Sequence, residues 1–184
     1  NLNKHNKSFS VISFGCLRYF DFWLNELDDI YGSVCTNNTT INNKLKILFF
    51  TRPSKNIFTK NSSIINKVYK LNNVDIIIKD KPRQLKSSKN TQNEILYSSS
   101  QLIKWADLII SHSSSIIAEV LLRNKPYFFL KYLSPNNEIS FIEDYKCVNL
   151  ILDENHLIKI ISDIQTNRKN IKKYLYDKDN YLND

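Results

Sequence analysis

Five short runs of the chain are apolar almost without interruption: KILFF (46–50), VDIII (74–78), DLIIS (107–111), YFFL (127–130) and VNLIL (148–152). A strand with one wet face alternates apolar and polar residues, so an unbroken apolar run demands cover on both faces. Helices on either side of a parallel sheet give that cover. The segments between the runs have helical spacing. Ile64, Ile65, Val68 and Leu71 share one face of a helix over 63–71, with Ser62 in position to cap it. SSQLIKW (99–105), SIIAEVLLR (115–123) and 154–166 also read as helices. EILY (94–97) reads as one more short strand.

Strand and helix therefore alternate from residue 46 to residue 166, as βαβ units require. The pattern predicts an α/β fold: a Rossmann-like, doubly wound parallel sheet of about six strands. Right-handed crossovers leave few topologies, and ligands of such sheets bind beyond the carboxyl ends of the strands.

The flanks read differently. Residues 1–44 form a lead-in: a strand SVISF (10–14) ending at Gly15, a helix FDFWLNELDDIY (20–31) and an Asn/Thr-rich linker. Apolar residues at 20, 23, 24, 27 and 30 predict that Trp23 packs as core. Residues 45–166 form the Rossmann-like domain. Residues 167–184 form a charged tail, helical at first. No position holds Met, position 1 included, so a piece of a longer protein is expected.

Composition removes several classes. With 42% hydrophobic residues, 10 Phe and 10 Tyr, a disordered chain is excluded. No apolar run reaches the ~18–20 residues of a membrane helix. Two glycines in 184 residues leave no room for a GxGxxG or Walker loop. Cys16, Cys35 and Cys147 lack CxxC spacing, which fits a reducing compartment better than a disulfide framework or a zinc site. The net charge of +8 comes from 21 Lys and 5 Arg against 18 acidic residues. The Lys are scattered, and 24 Asn and 24 Ile accompany them against 2 Ala, as a low-GC genome would produce.

Chemistry concentrates in WADLIISHSSSIIAEVLLRNKPYFFL (105–130). An apolar strand runs into Ser111, His112, Ser113, Ser114 and Ser115, and a helix follows. Free N–H groups at a helix start, its dipole and spare hydroxyls suit a phosphate. Glu119, one turn on, suits hydroxyls such as a ribose diol. The same residues also fit a plain serine cap and an exposed helical Glu. In VDIIIKDKPRQ (74–84) a strand delivers Lys79, Lys81 and Arg83 to its carboxyl end, with Pro82 fixing the backbone between them. A diphosphate would pair with such cations, and an ordinary Lys-rich loop would look similar. GCLRYFDFWLNEL (15–27) offers a turn at Gly15 and an exposed Arg18.

The 105–130 run resembles the signature of the C-terminal half of GT-B glycosyltransferases of bacterial surface carbohydrate synthesis. It is also similar to the CDP-glycerol glycerophosphotransferase and polysaccharide-capsule groups. There a strand reading A-D-hydrophobic-I-[ST] leads to paired serines, an acidic residue four further on, and a Pro before the next strand. Ala106, Asp107, Ser114, Ser115, Glu119 and Pro126 match. Lys79, Pro82 and Arg83 match a K-x-H-P-R segment whose histidine is Lys81 here. Gly15, Arg18, Tyr19 and Trp23 match a G-S-x-R-[FY]-x-x-x-W segment.

The resemblance implies that Ser113, Ser114 and Ser115 with Lys79 and Arg83 hold the donor phosphates, and that Glu119 holds the ribose. Arg18 and His112 would be accessory, and no catalytic residue is assigned. The expected ligand is a UDP-, CDP- or CMP-linked sugar, with a saccharide acceptor and without a metal or a cofactor. A missing N-terminal domain would carry the acceptor site and the catalytic base. The expected setting is cytoplasmic, serving capsule polysaccharide and cell-envelope synthesis, with peripheral contact at the inner membrane face open to the tail 168–181. No nucleic-acid partner is expected. Two alternatives stand beside this one: transfer of a polyol phosphate from a CDP-linked donor, and a non-enzymatic basic module binding nucleic acid or anionic membrane.

Overall fold

A computed structural model describes residues 21–32, 44–51, 63–79, 97–112, 116–133 and 148–176. Leu45–Phe50 (β1), Val74–Lys79 (β2), Leu108–Ser111 (β3), Tyr127–Leu130 (β4) and Asn149–Ile151 (β5) form one sheet in the order β2-β1-β3-β4-β5. Every pairing is parallel. This is a Rossmann-like sheet of doubly wound order. Among the described residues it has five strands, one fewer than the reading of about six. The difference is EILY: Tyr97 lies in a bend before a helix, and 94–96 fall outside the described residues. SVISF (10–14) also falls outside them.

The helices are Asp21–Tyr31 (α1), 63–69 (α2), Ser99–Trp105 (α3), Ile117–Leu122 (α4) and Glu154–Thr166 (α5). Their placement explains the solid apolar strands. Leu108 and Ile110 of β3 pack with α2 and α5 on one face, and Ile109 packs with α3 and α4 on the other. Phe128 and Leu130 of β4 likewise oppose Tyr127 and Phe129. Neither face of these strands can carry a polar residue without burying it. No described helix is long and apolar enough to cross a membrane.

Left-handed residues end three segments. Gly32, Asn73 and Asn124 have φ of 64°, 58° and 51°. Asn124 closes α4, the Lys125 N–H donating to Val120 O at 3.0 Å, so β4 starts three residues later. After α5 the chain tightens into a 3₁₀ helix, Arg168–Tyr174, at the start of the tail read as helical. Its Ile171 and Tyr174 lean on the core, the Tyr174 ring 5.4 Å from that of Phe128.

α1 corrects one expectation. Trp23 is 38% exposed, and of the stripe at 20, 23, 24, 27 and 30 only Leu24 is buried among the described side chains. The face that docks carries Leu24 and Asp28. Charge and hydrogen bonds, more than an apolar stripe, hold this helix in place.

Candidate functional site

A strand order of 2-1-3-4-5 sends the chain one way from β1 and the other way from β3. The crevice of such a sheet opens where those directions part, beyond the carboxyl ends of β1 and β3. The register aligns the last residues: Phe50 pairs with Lys79 on one side and Ser111 on the other. Thr51 continues the β1 edge, its N–H donating to Lys79 O at 3.1 Å.

Strand β3 leaves the sheet under tight control. The Ser111 hydroxyl donates to His112 O at 2.7 Å, and the Tyr127 hydroxyl donates to the same carbonyl at 2.9 Å. A buried carbonyl with both lone pairs occupied does not shift without leaving two donors unpaired. His112 is 3% exposed, so it is no surface loop residue. It belongs to the buried end of the strand. Ser113, Ser114 and Ser115 lie outside the described residues. The helix after them starts late: Ile116 is the cap residue of α4, and no side chain caps it.

Lys79 ends β2, and its ammonium donates to Tyr97 O at 2.6 Å. That contact ties the β2 edge to the start of α3, near the crevice. Arg83 and Arg18 lie outside the described residues, as do Lys81 and Pro82.

Glu119 sits in α4 with a side chain 18% exposed. Its Oε1 accepts from Ser100 Oγ at 2.5 Å and from Arg123 Nε at 3.0 Å. Arg123 Nη2 also donates to Ser100 Oγ at 2.9 Å and to Asp28 Oδ1 at 2.9 Å, and Nη1 donates to Asp28 Oδ2 at 3.3 Å. Lys104 completes the group with a 2.8 Å contact to Asp28 Oδ2. Two carboxylates thus face two cations around a side chain only 9% exposed. For Arg123, burial opposes the charge, but the hydrogen bonds and charges of Asp28 and Glu119 outweigh it and raise its pKa. For Asp28, burial pushes the carboxyl up, and the hydrogen bonds to Arg123 and Lys104 pull it further down.

Three helices meet at this network. A capping box starts α3: Ser98 Oγ accepts from Gln101 N at 3.2 Å, and Gln101 Oε1 accepts from Ser98 N at 2.8 Å. The Gln101 amide also donates to Tyr31 O at the end of α1. Both α3 and α4 run back along the strands, so their N-terminal turns lie toward the carboxyl edge of the sheet. Ser100 and Glu119 occupy those turns.

Compared with family models and with curated proteins, the chain matches none.

Asp107, though part of the matched motif, stands at the other end of the sheet. It precedes β3, and its Oδ2 accepts from Lys46 N at 2.9 Å and Arg168 Nη1 at 3.1 Å. Its own N–H donates to Lys46 O at 2.8 Å. The residue clamps β3 to β1 and to the C-terminal 3₁₀ helix. On the face of α2 and α5, Tyr132 follows β4 in a 3₁₀ turn, and its hydroxyl has no hydrogen-bond partner among the described residues. Burial, then the charges of Glu154 and Asp153, raise its pKa. No group of three His, Cys, Asp or Glu side chains among the described residues could hold a metal ion.

The sequence reading named Glu119 and missed Ser100, Arg123 and Asp28. One signal was legible: Glu119 and Arg123 stand four apart on a helix, the spacing of an ion pair. Ser100 and Asp28 reach the network only through the tertiary fold.

Proposed function

We propose that this chain is the donor-binding domain of a GT-B-type glycosyltransferase that moves a sugar from a nucleotide-sugar to a surface polysaccharide acceptor. The observation that carries the reading is a juxtaposition. A strand of the A-D-L-I-I-S pattern ends at the strand switch of a doubly wound parallel sheet, and a carboxylate held on one oxygen stands in the first turn of the next helix.

In this reading the donor lies across the ends of β1 and β3. Its phosphates face the serine run 113–115, with Lys79 and Arg83 as the cations beyond β2. Its ribose meets Glu119. Departure of the nucleotide leaves negative charge on the terminal phosphate oxygen. Preorganised N–H groups and fixed cations lower the barrier by meeting that charge where it develops. The general base and the acceptor site belong to an N-terminal half of the enzyme beyond these 184 residues. A CDP-linked polyol phosphate would occupy the same place, and only the donor distinguishes that chemistry.

Isothermal titration with UDP, CDP and CMP tests the reading. It predicts saturable millimolar or tighter binding of at least one nucleotide, and competition by the matching nucleotide-sugar. Salt-dependent binding to DNA or anionic vesicles, with no response to any nucleotide, would favour a basic binding module instead.

A further inference from the structure

We infer that Ser100 and Arg123 are positioning residues for Glu119: they occupy its Oε1 and leave Oε2 as the one acceptor offered to a ligand hydroxyl. The inference rests on the reading of Glu119 as the ribose-binding carboxylate.

The hydrogen-bond directions are forced. Ser100 Oγ accepts from Arg123 Nη2 at 2.9 Å, so its single proton is directed to Glu119 Oε1 at 2.5 Å. Arg123 Nε adds a second donor to the same oxygen at 3.0 Å. Glu119 Oε2 has no partner among the described residues. The guanidinium cannot turn away, because Asp28 grips its far side through both Nη atoms. Ser100 is buried, and Arg123 nearly so.

A free glutamate on a helix samples many rotamers, and ordering one on binding lowers affinity by about two- to ten-fold. Here the ordering is complete beforehand. One oxygen already holds two donors, and the other has no partner among the described residues. Such a group selects a ligand with hydroxyls over the same ligand without them. An acceptor ready for a donor rejects an analogue that lacks one.

The test compares a ribonucleotide with its 2′,3′-dideoxy counterpart, using UDP or CDP, whichever binds wild type more tightly. The ratio of the two affinities is read within each variant, so a partly unfolded fraction cancels. Wild type should prefer the ribonucleotide. Ser100→Ala and Arg123→Lys should each reduce that preference by about five-fold, the equivalent of one lost rotamer restriction. Ser100→Thr, which keeps the hydroxyl, should retain it. If Glu119→Ala erases the preference while Ser100→Ala keeps the wild-type ratio, Glu119 needs no positioning and the inference is wrong, with the ribose reading intact. If wild type shows no preference, or Glu119→Ala keeps it, the ribose reading falls and takes the inference with it.

Discussion

The guanidinium of Arg123 meets the carboxylate of Asp28 in a two-pronged contact, 2.9 Å and 3.3 Å, across 95 residues of chain. The pair joins the lead-in helix α1 to the helix that carries Glu119. Docking of α1 and alignment of Glu119 are therefore one event, and disturbing either end should be felt at the other.

Acid should loosen this joint. The Asp28 carboxyl titrates below its ordinary 3.8 in the folded protein: burial opposes that shift and the bonds to Arg123 and Lys104 produce it. A lowered folded pKa contributes stability that is present above 3.8 and lost as pH falls through the folded value. Asp28→Asn should be less stable at pH 7 by about 1–3 kcal/mol, because it leaves part of a buried guanidinium without its anion. It should also lose less stability than wild type on acidification below about pH 4. Denaturant unfolding across pH 3–7 checks both slopes.

Asp107→Ala should destabilise the fold without touching the ligand. Its Oδ2 supports Lys46 N at 2.9 Å at the amino end of the sheet, away from the crevice. Loss of that bond to a charged acceptor is worth about 1–3 kcal/mol. The Arg168 contact adds little, since both side chains are more than a third exposed. Nucleotide affinity should stay within two-fold of wild type. A large affinity loss in a folded variant would move Asp107 into the site.

Tyr127→Phe removes one of two donors on His112 O while keeping the ring in the core. The expected cost is about 1 kcal/mol, seen as a lower denaturant midpoint with an unchanged slope. Amide exchange at His112 should accelerate, because the exit of β3 has lost one of the bonds that fix it.

Ser114→Ala should weaken nucleotide binding and leave the unfolding midpoint where it was. A serine that served the fold alone would give the opposite result.

Much of the architecture was legible because burial on two faces leaves a one-sided record in the sequence. β3 and β4, with Leu108, Ile109, Ile110, Phe128 and Phe129 all buried, announced a covered parallel sheet. Of EILY, Tyr97 bends into the capping box of α3, and residues 94–96 lie outside the described residues. Trp23 misled for a different reason. Helical periodicity identifies which residues share a face, but the face of α1 that docks was chosen by Asp28, whose partner Arg123 is 95 residues away. The motif reading also merged two ends of the sheet. Asp107 and Glu119 stand twelve residues apart in one pattern, yet a strand separates the clamp from the candidate site. Ser100 gave no local sign, since its importance lies in two neighbours contributed by another helix.

The most direct test of the donor-site reading is titration of the isotope-labelled chain with UDP, CDP and CMP, followed by backbone amide NMR. The account predicts that at least one nucleotide shifts the amides from Ser111 to Ile117 together with Thr51 and Glu119, while Asp107 and the 168–174 segment stay still. If all three leave the serine-run amides unmoved at millimolar concentration, the carboxyl end of this sheet is not a nucleotide site.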